Sequence, residues 1–149
     1  LSAPAFLFDA NLWIALTFPR HPHHKQALEA YARTSASLPA IFCRSTEQSF
    51  LRLATTPALL QICGATGVTN EDALTALDYF LSMPSVKNRE EPDGIVPIWR
   101  RLARRPNAAP KVWMDAYLAA FAIAGKMTMV TFDRDFKAFE KEGLKLLMP

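Results

Sequence analysis

The sequence predicts an α/β fold built on a parallel sheet. Three features predict it. Short apolar runs of strand length alternate with longer stretches patterned like helices. The leading runs, 5–8 and 127–132, lack the alternation of a half-exposed strand and read as buried on both faces. Each of these two runs gives way at once to an aspartate, Asp9 or Asp133. Ligand sites in such sheets lie beyond the carboxyl ends of the strands.

The elements follow in order. Ala-Phe-Leu-Phe at 5–8 is a strand, and 11–18 is a short helix stopped by Pro19. A second helix follows Pro22 and runs through "HPHHKQALEAYARTSA", with Ala27, Leu28, Tyr31 and Ala32 on one face. "SLPAIFC", 37–43, is a second strand, after which Ser45 or Thr46 caps a helix carrying "EQSFLRLA". Another helical piece starts near Pro57 and is broken by "GATG". Thr69, with Glu71 and Asp72 behind it, opens a helix ended by Pro84. A weak strand lies at 85–90. "GIVPIWRRLARRP" is an amphipathic basic helix ended by Pro106, and "APKVWMDAYLAAFAIAGK" a strongly apolar one with Gly125 at its C-cap. "MTMVTF" is a strand, "RDFKAFEKEG" a short helix, and "LKLLM" a last strand.

The 149 residues suit one domain, 1–149, with a real core. Half the residues are hydrophobic, 21% are charged and the net charge is +3, a mildly basic balance compatible with nucleic acid. Cys43 and Cys63 lack CxxC spacing and read as buried reduced thiols of a cytoplasmic protein. No uninterrupted apolar stretch reaches membrane-helix length, and the first twenty residues, broken by Asp9 and Asn11, do not resemble a signal peptide. No GxxxxGK[ST] or GxGxxG occurs, so P-loop and Rossmann readings have no support. "DAN" lacks the second aspartate of an Asp-x-Asp phosphoryl-transfer motif, which weakens a phosphatase reading.

Four acids stand out. Asp9 and Asp133 end strands, so parallel central strands would bring both to one rim. Glu47 lies in the first turn of its helix, ahead of Phe50, Leu51 and Leu53. Asp115 shares a face with Val112, Leu118 and Ala119 on an otherwise apolar helix. Each has an ordinary explanation: helix caps for Asp9 and Asp133, a favourable dipole for Glu47, a buried arginine partner for Asp115. Together they point to a cleft of carboxylates, which repel unless a cation sits among them. Oxygen ligands without His or Cys select a hard ion, Mg²⁺ or Mn²⁺, able to promote phosphodiester hydrolysis.

"FLFDAN", "STEQSFLRL", "MDAYLAAFA" and "VTFDRDF", in this order and spacing, resemble the PIN-domain nucleases, most closely the short VapC-type toxins of toxin–antitoxin pairs. The resemblance runs over roughly 5–147. It implies a three-layer α/β/α fold and a Mg²⁺- or Mn²⁺-dependent endoribonuclease. It also implies an RNA substrate, a cognate antitoxin and a homodimer. By the same resemblance Asp9, Glu47, Asp115 and Asp133 are the catalytic and metal-binding acids. Asn11 and Thr131 are supporting polar groups, and Asp135 is the additional acid some members carry. Two alternatives stand beside this reading: a non-catalytic RNA- or protein-binding module, and a nuclease of RNA processing without an antitoxin.

Arg100, Arg101, Arg104 and Arg105 are placed on one broad helix face, suited to RNA phosphates, to an acidic antitoxin tail or simply to solvent. His23 and His24 read as caps or exposed imidazoles, not metal ligands. Phe6, Phe8, Trp13, Phe50, Tyr79 and Phe121 read as core and not as a base-stacking platform.

Overall fold

The computed structural model describes residues 4–149. Five strands of three residues each, β1 (Phe6–Phe8), β2 (Ala40–Phe42), β3 (Val86–Asn88), β4 (Thr128–Val130) and β5 (Lys145–Leu147), form one sheet. Its order is β3-β2-β1-β4-β5 and every neighbouring pair is parallel. Side chains alternate across the pleat. Leu7, Ile41 and Met129 enter one apolar cluster, while Phe8, Ala40, Phe42, Val86 and Val130 enter the other. Burial on both faces is why these runs carry no polar alternation.

The first cluster is closed by α6 (Ile95–Ala103), α7 (Val112–Ala124) and a 3-10 helix, Arg134–Glu142. The second is closed by α1 (Ala10–Thr17), α2 (His24–Tyr31), α3 (Arg44–Ala54), α4 (Pro57–Ile62) and α5 (Asn70–Leu81). The result is the expected three-layer α/β/α sandwich. Trp13, fully buried, stacks on Phe42 at 3.9 Å between centroids and anchors the second cluster.

Several local expectations are corrected. The cap of α3 is Cys43, not Ser45 or Thr46; Thr46 instead reaches back, its hydroxyl accepting the Cys43 N–H at 2.9 Å. α2 stops at Tyr31 because the Tyr31 carbonyl is taken by the Thr34 hydroxyl (2.7 Å) and the Thr34 N–H. β2 starts only at Ala40: Leu38 is tied into a turn by the Ser35 hydroxyl, and Pro39 has no N–H to give. α6 stops at Ala103. Arg105 precedes Pro106, which disfavours helix there, and its guanidinium donates to the Leu102 carbonyl at 2.7 Å. Arg104 is extended, so Arg104 and Arg105 do not share the helix with Arg100 and Arg101. Gly125 does cap α7, yet the left-handed residue is Lys126, at φ 55°. Tyr79 is 62% exposed and is not core. Among the described residues no helix is long and apolar enough to cross a membrane.

Candidate active site

The chain builds β1, β2 and β3 in one direction, then returns to lay β4 on the other side of β1. The sheet order therefore reverses between β1 and β4, and such a reversal opens a crevice at the carboxyl ends of the two strands. Asp9 follows β1 and Asp133 follows β4. The two strand ends are locked together, with the Asp9 N–H donating to the Val130 carbonyl at 3.0 Å.

Thr131, fully buried, is the centre of the network there. Its hydroxyl donates to Asp9 Oδ2 at 2.7 Å and accepts the Asn11 amide at 3.1 Å and the Asp133 N–H at 3.0 Å. Asn11 also donates to Asp9 Oδ2 (3.4 Å), and its Oδ1 accepts the Phe132 N–H at 3.4 Å. Asp9 Oδ1 accepts the Ala10 N–H at 2.8 Å and so caps α1. Asp133 Oδ1 accepts the Asp135 N–H at 2.9 Å and caps the 3-10 helix. Capping leaves Asp133 Oδ2 outside this bond, so the cap and the cleft are not competing roles.

From the opposite side α7 brings Asp115. One oxygen from each of Asp115, Asp133 and Asp135 lies within 4.8 Å of the others. Oxygens bound to a hard ion at ~2.1 Å sit ~3–4.2 Å apart, so a side-chain adjustment of about an ångström closes the set. Burial, then the Asp133 charge, pushes the Asp115 carboxyl above its ordinary range; Lys111 opposes this, and Asp9 and Asp135 add to it. Burial likewise raises Asp9, against its hydrogen bonds from Thr131 and Ala10, with Asp133 raising it further. These carboxylates feel one another, as carboxylates gathered in one cleft do. Lys111 Nζ sits 2.8 Å from Asp135 Oδ2 and holds one positive charge at the cluster's edge.

Glu47 is placed differently. It is 6% exposed and both its oxygens are engaged: Oε1 with Arg44 at 2.7 Å, Oε2 with the Asn88 amide at 3.1 Å. It is not among the charges that displace Asp9 or Asp115. The structure thus brings together Asp115, Asp133 and Asp135, puts Asp9 near enough for its charge to be felt, with Asn11 and Thr131 behind it, and sets Glu47 apart in an ion pair. Sequence reasoning missed Lys111, Arg44 and Asn88. The first two carry a readable signal, being four residues before Asp115 and three before Glu47 on their helices. Asn88 carries none.

The arginines divide. Arg100, Arg104 and Arg105 line a groove of about 550 Å³ beside Trp113. Arg105 also lines a second cavity, of about 400 Å³, with Lys111, Asp115, Arg134 and Asp135. Arg105 therefore connects the basic groove to the acid cluster. Arg101 faces elsewhere, 3.8 Å from Glu142. Of the histidines, His24 is neither cap nor exposed: its Nδ1 meets the Ala15 carbonyl at 2.7 Å and fastens α2 to α1. His23 is exposed.

A parallel sheet with clustered acids at its switch point is an arrangement able to hold a cation, and comparison with known proteins identifies the family. The PIN domain matches residues 6–142. Ribonuclease VapC41 of Mycobacterium tuberculosis is 42% identical over 142 residues, covering 95% of this chain and 97% of its own. Among solved structures, M. tuberculosis VapC20, a sarcin-ricin-loop-cleaving toxin, superposes with a TM-score of 0.65 at 20% identity, over 97% of this chain and 99% of its own. VapBC2 from Rickettsia felis, bound to a DNA fragment from its promoter, matches at 0.65 and 15% identity, over 97% and 98%. The chain belongs to the PIN-domain family, within its VapC ribonuclease branch.

Proposed function

We propose that this chain is a divalent-metal-dependent endoribonuclease and the toxin of a type II toxin–antitoxin pair. The observation that carries the proposal is the convergence of Asp115, Asp133 and Asp135, with Asp9 beside them, at the switch point of the sheet. Asp9, Asp115 and Asp133 hold Mg²⁺ or Mn²⁺, with Asp135 as a further ligand or as the group that orients Lys111. Glu47 joins them on release from Arg44.

A bound divalent ion supplies Lewis-acid charge at the scissile phosphate. The protein does the rest. Thr131 and Asn11 hold Asp9 in place through its Oδ2, and its Oδ1 keeps a lone pair beyond the bond from the Ala10 N–H. Beside the ion the carboxylates of Asp9 and Asp115 stay ionised and act as ligands first, and one of them accepts the proton of the attacking water. The water oxygen bonds to phosphorus, and the P–O bond to the ribose opposite it breaks. Arg105, Arg104 and Arg100 carry the flanking phosphates along the basic groove, and Arg134 adds a positive charge in the second cavity, which Arg105 also lines.

The partner reading follows from the same family. A cognate antitoxin restrains the enzyme, and the working form is a homodimer in the cytoplasm. Trp113 and Met114, 57% and 66% exposed at the start of α7, are apolar surface suited to a protein contact. The test is cleavage of total bacterial RNA by purified, partner-free protein with Mg²⁺, with Mn²⁺ and with EDTA, beside Asp9→Asn. Discrete fragments that require metal and vanish with the variant are expected. Intact RNA in every lane, from folded protein, would replace the enzyme with a binding module.

A further inference from the structure

Three aromatic rings lie in a row that ends at Phe132, the residue before Asp133, and nothing in the cleavage chemistry uses them. The His23 ring stacks on Phe132, with centroids 4.7 Å apart and planes 23° from parallel. His21 continues the row at 5.8 Å from His23, tilted by 46°. His23 is exposed, and Phe132 and His21 are partly so. The row is held at both ends. His21 Nδ1 accepts the His23 N–H at 3.0 Å, which fixes the turn before α2. At the other end the Phe132 N–H donates to Asn11 Oδ1, so the residue bearing the ring is tied to the polar network under Asp9.

Position is what makes the row notable. Phe132 stands between Thr131 and Asp133, all joined by trans peptides, so its Cα is about 3.8 Å from that of an acid in the cluster. At this rim a large apolar ring stays partly open to water and is paired with an exposed imidazole. Phe132 packs against the core cluster that contains Phe8, Trp13, Phe42 and Phe50, yet remains partly open to water, so packing accounts for only part of the ring. Unpaired nucleobases, by contrast, stack on such faces with little dependence on sequence.

We propose that His23 and Phe132, extended by His21, form a base-stacking subsite for the unpaired nucleotide next to the scissile phosphate. This inference rests on the ribonuclease reading above. It divides the labour of binding: the arginine groove takes phosphates on the α6–α7 side of the rim, and the ring row takes a base on the α2 side. The subsite selects single-stranded RNA, since a paired base cannot present its face to the rings. His23 and Phe132 act by positioning the strand and do not touch the reacting atoms.

The test compares an unstructured pyrimidine RNA oligonucleotide with its abasic counterpart. Binding is measured by fluorescence anisotropy in EDTA, so no turnover intervenes, for the wild type, His23→Ala, Phe132→Leu and His23→Tyr. The wild type should prefer the base-bearing strand by about tenfold, the size that loss of one stacked base gives. His23→Ala and Phe132→Leu should erase that preference, and His23→Tyr should keep it. The salt dependence of binding should not change, because it counts phosphate contacts. In cleavage assays with metal the first two variants should raise KM by a similar factor and leave kcat nearly unchanged. Two results overturn the inference: a wild type indifferent to the missing bases, or a His23→Ala variant that keeps the preference and loses only thermal stability, which would make the rings a clasp between α2 and the β4 loop. Failure of the wild type to cut RNA at all refutes the enzymatic reading instead, and the separate cleavage measurement distinguishes the two failures.

Discussion

Replacing Asp115 with asparagine removes one negative charge and almost nothing else. The side chain keeps its size, and among the described residues it makes no hydrogen bond that would be lost. What goes is repulsion. A carboxylate pair 4.8 Å apart, the outer bound for Asp115 and Asp133, costs about 0.9 kcal/mol in water and ~3.5 kcal/mol at an effective dielectric of 20. The cluster opens to solvent and Lys111 offsets part of the repulsion, so the lower figure applies. Asp115→Asn should therefore be about 1 kcal/mol more stable than the wild type without metal, a rise of roughly 2–4 °C in Tm for a chain of this size. The difference depends on pH with a definite sign. The folded-state pKa of Asp115 lies above its ordinary 3.8, so the wild type carries no penalty below that value and acquires it as pH rises through the raised one. The two proteins should melt together at strongly acidic pH and separate toward neutrality. Saturating Mn²⁺ should invert the order. At a hundred times Kd a ligand stabilises by ~2.7 kcal/mol, and a protein lacking one of the carboxylates gains less. Thermal melts of both proteins in EDTA and in Mn²⁺, with RNA cleavage alongside, check all three points. A variant less stable than wild type in EDTA, or one with an undiminished metal response and full cleavage, would refute the assignment of Asp115 to a cation site.

Three further outcomes are expected. Thr131→Val, equal in shape, leaves the Asp133 N–H without its partner and removes the donor to Asp9; it should cost about 1–3 kcal/mol in denaturant melts and sharply reduce cleavage. Arg44→Gln releases Glu47 Oε1 from a pair whose arginine is 79% exposed, so stability should change by less than ~1 kcal/mol while Mn²⁺ titrates more tightly; an unchanged titration would remove Glu47 from the ligand set. Trp13→Ala empties the centre of the second cluster and should cost about 3–5 kcal/mol, read by urea unfolding, with cleavage retained per folded molecule.

Much of this was legible in the chain because it depends on local pattern. Buried parallel strands show as unbroken apolar runs, and the polar residue that ends each run marks the rim. Asp9 and Asp133 were readable for that reason, and Asp115 because a charge within an apolar helix needs an explanation wherever the helix lies. The four ordered motifs supplied the family. What the pattern could not supply was distance. The arginine row looked like a helix face until Pro106 and the turn of Arg105 onto the Leu102 carbonyl ended the helix early. Tyr79 had the hydrophobicity of core but lies on the outer side of its helix.

Sequence alone determined the fold class, the order of the elements and which carboxylates are out of place, since those follow from periodicity and residue chemistry along the chain. Tertiary structure decided which acids meet. It drew Asp135 into contact range of Asp115 and Asp133, turned Glu47 aside to Arg44 and Asn88, and stood Lys111 at the cluster's edge. It also set His23 against Phe132, 109 positions apart in the chain. The physical reason is the same in each case. Crevice contacts arise where β1 and β4 lie side by side, and strand neighbours are selected by burial of whole faces, not by any residue that ends up at the rim.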